Sequence, residues 1–357
     1  MKVAFDIETD GLNPTKIYCI AAKVIGQDVT EFWTPDRVKY FPAWLVELDV
    51  DTLIGHNIIG FDLPVLKKLL GFDWWGEVED TLVMSRLDNP SREGGHSLSS
   101  WGTRLNYPKG DYSDWTQYTD EMGEYCKKDV AVLAKLYRLL NSKAMSEIAL
   151  RIEHKIAVIT HQQTLNGWKF DIRKASNLLA SLKQEMFIAE DEVRKVFTPL
   201  EVWMPLKELK KTHRKDGGKT INYINQLAKG AEWYEIDGEL EWGHYIYPEF
   251  NLGSRQQIAR YLQHFGWKPK QFTELGTIIV SEAVLETIEI PEGKLIAKYL
   301  MLQKRLGLVS AWIDAIDIGD RIHGKVNSCG AVTGRMTHSK PNLAQVPASS
   351  SPYGEEC

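Results

Sequence analysis

Over residues 1 to about 140, apolar positions recur in two rhythms: a period of two in short runs and a helical period between them. This is the pattern of an α/β domain. Residues 2–8 and 17–24 read as strands, with 31–33 a third candidate and 52–56 another short strand. Residues 62–70 form a helical run closed by Gly71, 78–84 fit either period, 97–105 make a short helix, and 114–140 carry a long helical pattern.

From there the periodicity is plainly helical. Ile148, Ile152, Ile156 and Ile159 form one stripe, ended by Asn166-Gly167. Asp171 is placed to cap a second long helix whose buried face is Ala175, Leu178, Leu182, Met186, Ala189 and Val193. Two long helices with a short connection predict a helical hairpin. Residues 198–250 break the pattern: 207–219 hold six Lys or Arg against two acids, and 232–249 are rich in Trp, Tyr and Glu with little periodicity. This insertion is either a solvated loop packed by its own aromatics or a binding loop for DNA or a protein partner. Helices resume at 255–265 and 293–317, whereas 321–357 are rich in Gly, Pro, Ser and Asn and carry no helix signal.

A length of 357 residues favours two or three domains, and 43% hydrophobic residues suffice for a sizeable core. No charge-free apolar run reaches the roughly 18 residues of a membrane span, and the chain enters its first strand without a cleavable apolar segment, which reads as cytoplasmic. Cys19, Cys126, Cys329 and Cys357 are scattered with no CxxC pair, so neither a disulfide framework nor a zinc site is expected. A net charge of -5 excludes a uniformly basic coat but allows an acidic metal site beside local DNA-binding surfaces.

The candidate chemistry lies in four acids spread over three motifs: Asp6 and Glu8 in FDIETDGL, Asp62 in HNIIGFD, and Asp129 in YCKKD. On a strand, Asp6 and Glu8 share a face opposite Val3, Phe5 and Ile7. Asp62 is alternatively an ordinary helix N-cap, and Asp129 lies on the same helical face as Tyr125, one turn on. Two hard cations about 4 Å apart, held by oxygen ligands, activate a water and stabilise the leaving oxygen of a phosphodiester. A phenol near that water can orient it.

These motifs resemble the three exonuclease motifs of the DEDD superfamily in its tyrosine-bearing branch, as found in the proofreading domain of family A DNA polymerases. The surroundings (GHNIIGFDLPVL, DTLVMSRL, HSLSSWGTRL, YCKKDVAVL) are similar to phage replicative members. The resemblance implies a ribonuclease H-like 3′-5′ exonuclease domain at 1–142, a mainly helical thumb at 143–320 with the insertion at about 198–250, and the start of a palm at 321–357. It implies Asp6, Glu8, Asp62 and Asp129 as ligands of two Mg²⁺ or Mn²⁺ ions and Tyr125 as the water-orienting group. Thr9, Leu12, Asn57 and Phe61 match substrate-side positions, although Leu12 and Phe61 fit a core equally well. NLGSRQQIARYLQHFGW and YLMLQKRLG resemble the thumb, and HGKVNSCGAVTGRMTHSKPNLAQVP the approach to the palm. Lys304, Arg305, Arg335, Asn342 and Gln345 are thus implied contacts to primer-template DNA.

In some relatives a thumb insertion binds a processivity protein such as thioredoxin. The matching positions stop before the palm and fingers, so the expectation is a proofreading half that polymerises only with a second polypeptide and whose residues 321–357 order on that partner. A free-standing RNA-processing exonuclease and a non-catalytic DNA-binding or assembly subunit are the competing readings. Metal-dependent hydrolysis separates the last of these from the other two.

Overall fold

Strand β1 (Lys2–Thr9) is the middle strand of a five-stranded sheet in the computed structural model, which describes residues 1–108, 110–143, 145–236 and 238–357. The chain continues with β2 (Ile17–Val24), β3 (Glu31–Trp33), α1 (Phe41–Glu47), β4 (Thr52–Gly55), α2 (Asp62–Leu70), β5 (Glu77–Asp80), α3 (Thr81–Asp88), α4 (Leu98–Arg104), α5 (Asp120–Asn141), α6 (Glu147–Asn166) and β6 (Trp168–Lys169). Then come α7 (Ile172–Val196), β7 (Val202–Pro205), α8 (Ile221–Ala228), β8 (Glu232–Ile236), β9 (Glu239–Ile246), α9 (Arg255–His264), α10 (Glu282–Glu286) and α11 (Pro291–Asp314). Three short strands follow: β10 (Arg321–Ile322), β11 (Lys325–Asn327) and β12 (Thr337–Ser339).

The large sheet has the order β3-β2-β1-β4-β5, antiparallel from β3 to β1 and parallel from β1 to β5. This is the mixed sheet of a ribonuclease H-like domain. Val3, Phe5 and Ile7 enter one core with Phe41, Leu53 and Leu66. Ala4 enters another with Ile54, Leu133 and Leu136. Because strand side chains alternate, Asp6 and Glu8 share the face of Ala4, over which α5 packs.

Two compact units result, Met1–Phe170 with Ala315–Val346, and Asp171–Asp314 with Pro347–Cys357. The division does not follow the sequence segments. Helix α6 goes with the first unit because β6 pairs with β10 and β11 packs on α6. Helix α7 packs on α11 in the second unit, so α6 and α7 do not make a hairpin of one unit. Asp171 caps α7 as expected, accepting from the Lys174 amide, and Ala175, Leu182, Ala189 and Val193 are buried. The stripe on α6 is turned outward instead: Ile148, Ile152 and Ile159 are exposed, and Leu150 and Ala157 pack against the cores.

Three further expectations are corrected. Helix α5 starts at Asp120, not 114, because Asp114 accepts from the amide and hydroxyl of Thr116 in a turn and Thr119 caps the helix. The segment 232–249 is regular: β8 and β9 pair in register, with β7 on the other edge. Its period was hidden because both faces carry rings, Trp233 and Trp242 on one, Trp203, Tyr234 and Tyr245 on the other. Residues 321–346, expected to wait for a partner, form β10–β12 and bury Ile322 and Cys329 within the first unit.

Candidate active site

The side chains of Asp6, Glu8 and Cys126 offer ligand atoms that all lie within 4.8 Å of one another. Glu8 and Thr9 are buried at the end of β1, where the pairing with β2 bulges between them. A bulge re-aims side chains at a strand end. The Thr9 hydroxyl then donates to the Gly11 carbonyl at 3.0 Å. Asp10 accepts from the amides of Thr15 and Lys16 and from the Thr15 hydroxyl, which holds its carboxyl down at about 2 and fixes the loop. Leu12 is 94% exposed on that loop, so it is not a core residue.

Asp62 is the first residue of α2 and buried; Phe61 holds the N-cap position, and no side chain caps this helix. The capping role that the sequence allowed is therefore not the one Asp62 plays. Its carboxyl is pushed up to about 7, chiefly by burial and further by the charge of Asp80, against hydrogen bonds from its own amide and that of Ile7. The Ile7 amide places this carboxyl beside β1, between the positions of Asp6 and Glu8. Phe61 is half-buried against the Phe5–Phe41 core. Asn57 is exposed with φ 66°.

Asp80 is a residue that sequence reasoning missed. Buried at the end of β5, it caps α3 through the Leu82 amide and accepts from the amides of Asn57 at 2.9 Å and Ile59 at 3.3 Å. One carboxylate thus fixes the turn that leads to Asp62. An acid directly before an apolar helical run was the available signal.

Helix α5 carries Tyr125, Cys126 and the buried Asp129. The Tyr125 ring packs on Tyr112 and Trp115 at 5.8 and 5.9 Å between centroids. The Cys126 thiol donates to the Asp6 carbonyl at 3.5 Å, and burial with a neighbouring Cys19 pushes it well up, so it stays protonated. Cys126 was not singled out from the sequence, although it precedes Asp129 by three positions on one helical face. Asp62 and Asp129 lie outside the group of Asp6, Glu8 and Cys126: the first at the Ile7 amide, the second one turn along α5 from Cys126.

The implied DNA contacts are placed as follows. Lys304 is exposed on α11, whereas Arg305 is buried and its Nε donates to the Pro352 carbonyl at 3.2 Å. Arg335 is exposed between β11 and β12, Asn342 accepts from the Ala344 amide, and Gln345 is exposed.

Comparison with known proteins agrees with this architecture. Residues 1–144 match the family described as 3′-5′ exonuclease, and residues 225–357 match DNA polymerase family A. The chain is 30% identical to the DNA-directed DNA polymerase of Escherichia phage T7 over 99% of its own length and 64% of the relative's. It is 30% identical to that of Enterobacteria phage T3 over 89% and 59%. It therefore spans about three fifths of these curated relatives. The POL domain of Pol1 from M. smegmatis, solved in complex with DNA primer-template and dNTP, superposes with a TM-score of 0.66 at 14% identity, covering 99% of this chain and 53% of that one. At that identity the likeness shows the fold. No helix of the described residues is long and apolar enough to cross a membrane.

Proposed function

Since the chain belongs to the family A DNA polymerases and carries their 3′-5′ exonuclease segment, we propose that it removes nucleotides one at a time from the 3′ end of a DNA strand, as the proofreading part of a replicative polymerase. The observation that carries this reading is the placing of Asp6 and Glu8 side by side on β1 with the buried Asp62 carboxyl at the intervening Ile7 amide.

The donor set fits two hard divalent cations, Mg²⁺ or Mn²⁺. Asp6, Glu8, Asp62 and Asp129 offer oxygen ligands, and the high proton affinity of Asp62 is what a carboxylate shows where burial leaves its charge uncompensated. The soft donor Cys126 is held protonated. Such ions supply charge to activate a water and to stabilise the leaving 3′ oxygen. Tyr125, steadied by Tyr112 and Trp115, orients that water through its hydroxyl. Thr9, Leu12, Asn57 and Phe61 hold the terminal nucleotide, with Leu12 wedged against the last bases. Asp80 shapes the turn that presents Asn57.

In the same reading α7 and α11 belong to a thumb, and Lys304, Arg335, Asn342 and Gln345 contact the primer-template backbone. The β7–β9 insertion receives a processivity protein. The protein works in the host cytoplasm. The test is release of mononucleotides from a 3′-labelled single strand in Mg²⁺. An intact strand after prolonged incubation would leave a non-catalytic DNA-binding subunit as the better reading.

A further inference from the structure

Tyr18 on β2 is buried in a small core with Cys19, Ala21, Met122, Cys126 and Val130, and its hydroxyl bonds outside that core. It donates to the Thr116 carbonyl at 2.7 Å and lies 3.3 Å from the Trp115 carbonyl. A phenol carries one proton, so the nearer acceptor takes most of the bond. Both carbonyls belong to residues 111–119, a segment before α5 with neither helix nor strand. Irregular backbone needs partners for its carbonyls, and a buried tyrosine needs one for its hydroxyl, so this contact ties the loop to the sheet. The two ends of the bond are 98 positions apart.

The tethered loop brings two rings to Tyr125. Trp115 meets the Tyr125 ring nearly edge-on, at 77° and 5.9 Å between centroids, and Tyr112 lies against it at 5.8 Å. Trp115 and Tyr112 also meet each other edge-on, at 79° and 5.1 Å, so the three rings form a closed set. Edge-on pairs depend on angle as well as distance, hence they hold the orientation of a ring and not only its place. Tyr125 is half-buried, and a side chain on such a helix face samples several rotamers unless packing selects one. The loop has other ties: the Tyr112 and Thr119 hydroxyls are hydrogen-bonded at 3.1 Å, and Asp114 accepts from Thr116. Those ties are internal to the loop and the start of α5. The Tyr18 bond instead reaches β2, where the next residue, Cys19, pairs with Glu8.

We propose that Tyr18 is a positioning residue for hydrolysis. Its hydroxyl fixes the 111–119 loop and thereby, through Trp115 and Tyr112, the rotamer in which Tyr125 meets the attacking water. This rests on the reading that Tyr125 orients that water.

The experiment compares wild type with Tyr18→Phe, Trp115→Ala, Trp115→Phe and Tyr137→Phe, after thermal melts establish that each is folded. Tyr137 is also buried and accepts from Lys2 Nζ at 3.0 Å, so Tyr137→Phe reports what losing a buried tyrosine hydroxyl does by itself. On single-stranded DNA in Mg²⁺, Tyr18→Phe should lower kcat about fivefold at unchanged KM, within the loss of about tenfold expected for Tyr125→Phe. Added to Tyr125→Phe it should lower kcat no further, because the two act through one hydroxyl. Trp115→Ala should match Tyr125→Phe, Trp115→Phe should recover part of the rate, and Tyr137→Phe should leave kcat alone. With para-fluorophenylalanine in place of Tyr125, fluorine NMR should give one line in wild type and in Tyr137→Phe. In Tyr18→Phe that line should shift, broaden or divide.

A fluorine line unaltered by Tyr18→Phe overturns the proposal. So does an additive loss in the double variant, or an unchanged kcat in Tyr18→Phe where Tyr125→Phe is impaired. A wild type that leaves DNA intact would sink the exonuclease reading and with it any role in hydrolysis, whereas a fluorine line altered in Tyr18→Phe and not in Tyr137→Phe would still establish the anchor.

Discussion

The buried carboxyl of Asp62 accepts a hydrogen bond from the backbone amide of Ile7, the residue between Asp6 and Glu8 on β1. Strand β4 pairs with β1 only as far as Ala4, and beyond that point the Ile7 amide is bonded by the Asp62 carboxyl instead. A sheet that ends its pairing early thus delivers a third acid to the strand that carries the first two.

That placement makes the protein without metal sensitive to pH. A carboxyl whose proton affinity is raised from an ordinary 3.8 to about 7 holds its proton more tightly when folded. It therefore favours folding below its ordinary value, and the benefit is lost as the pH climbs through about 7. In EDTA the melting temperature of wild type should fall between pH 5 and 8 relative to Asp62→Asn. Mg²⁺ added at pH 8 should raise it again in wild type only, since a ligand that binds the folded state stabilises it. Parallel curves for the two proteins would show that Asp62 is not the group responsible.

Replacing Asp6 and Glu8 together by Ala should lower hydrolysis of single-stranded DNA by orders of magnitude. The melting temperature should hold or rise in EDTA, because two adjacent like charges are removed. Tyr125→Phe should cost about tenfold, the worth of one hydrogen bond to water of about 0.5–1.5 kcal/mol. Rates from gel-resolved digestion check both, and a double mutant near wild-type rate would refute the metal-ligand assignment.

Asp80 tests whether the turn before Asp62 is built by one carboxylate. Asp80→Ala removes the acceptor for three amides, the cap of α3 among them, so it should cost about 2–4 kcal/mol in urea unfolding and depress hydrolysis, and it also removes a charge that helps to raise the proton affinity of Asp62. Asp80→Asn keeps one oxygen for Asn57 and Leu82 and should cost less. Equal losses from the two substitutions would mean that the charge, rather than the acceptor geometry, is what matters.

Much of this was legible because period two and period 3.6 differ, and β1 shows why. Val3, Phe5 and Ile7 had to share one core, which left Asp6 and Glu8 together on the other face. Legibility failed where a residue's partner lies far along the chain. Asp80 is tied to Asn57, and Cys126 to Asp6, by contacts that no local pattern records. It failed differently on α6, whose isoleucine stripe is helical but faces outward, since periodicity gives a face and not what covers it. In the insertion, rings on both faces of β8 and β9 erased the alternation that a half-buried strand would show.

Lys304 and Arg305 are neighbours on α11 with opposite fates, and they separate DNA binding from architecture. Lys304 projects from the surface, whereas Arg305 is buried and bonded to the Pro352 carbonyl. Lys304→Ala should leave unfolding unchanged but weaken binding of a fluorescent primer-template duplex, and it should reduce the slope of log affinity against log salt by about 0.9, the share of one phosphate. Arg305→Ala removes a buried donor and should cost about 1–3 kcal/mol of stability. Any loss of DNA affinity it causes should leave the salt slope nearly unchanged. Anisotropy titrations between about 50 and 200 mM salt resolve the two cases. A full-unit change in slope for Arg305→Ala with unaltered stability would restore Arg305 as a direct phosphate contact and make its bond to Pro352 incidental.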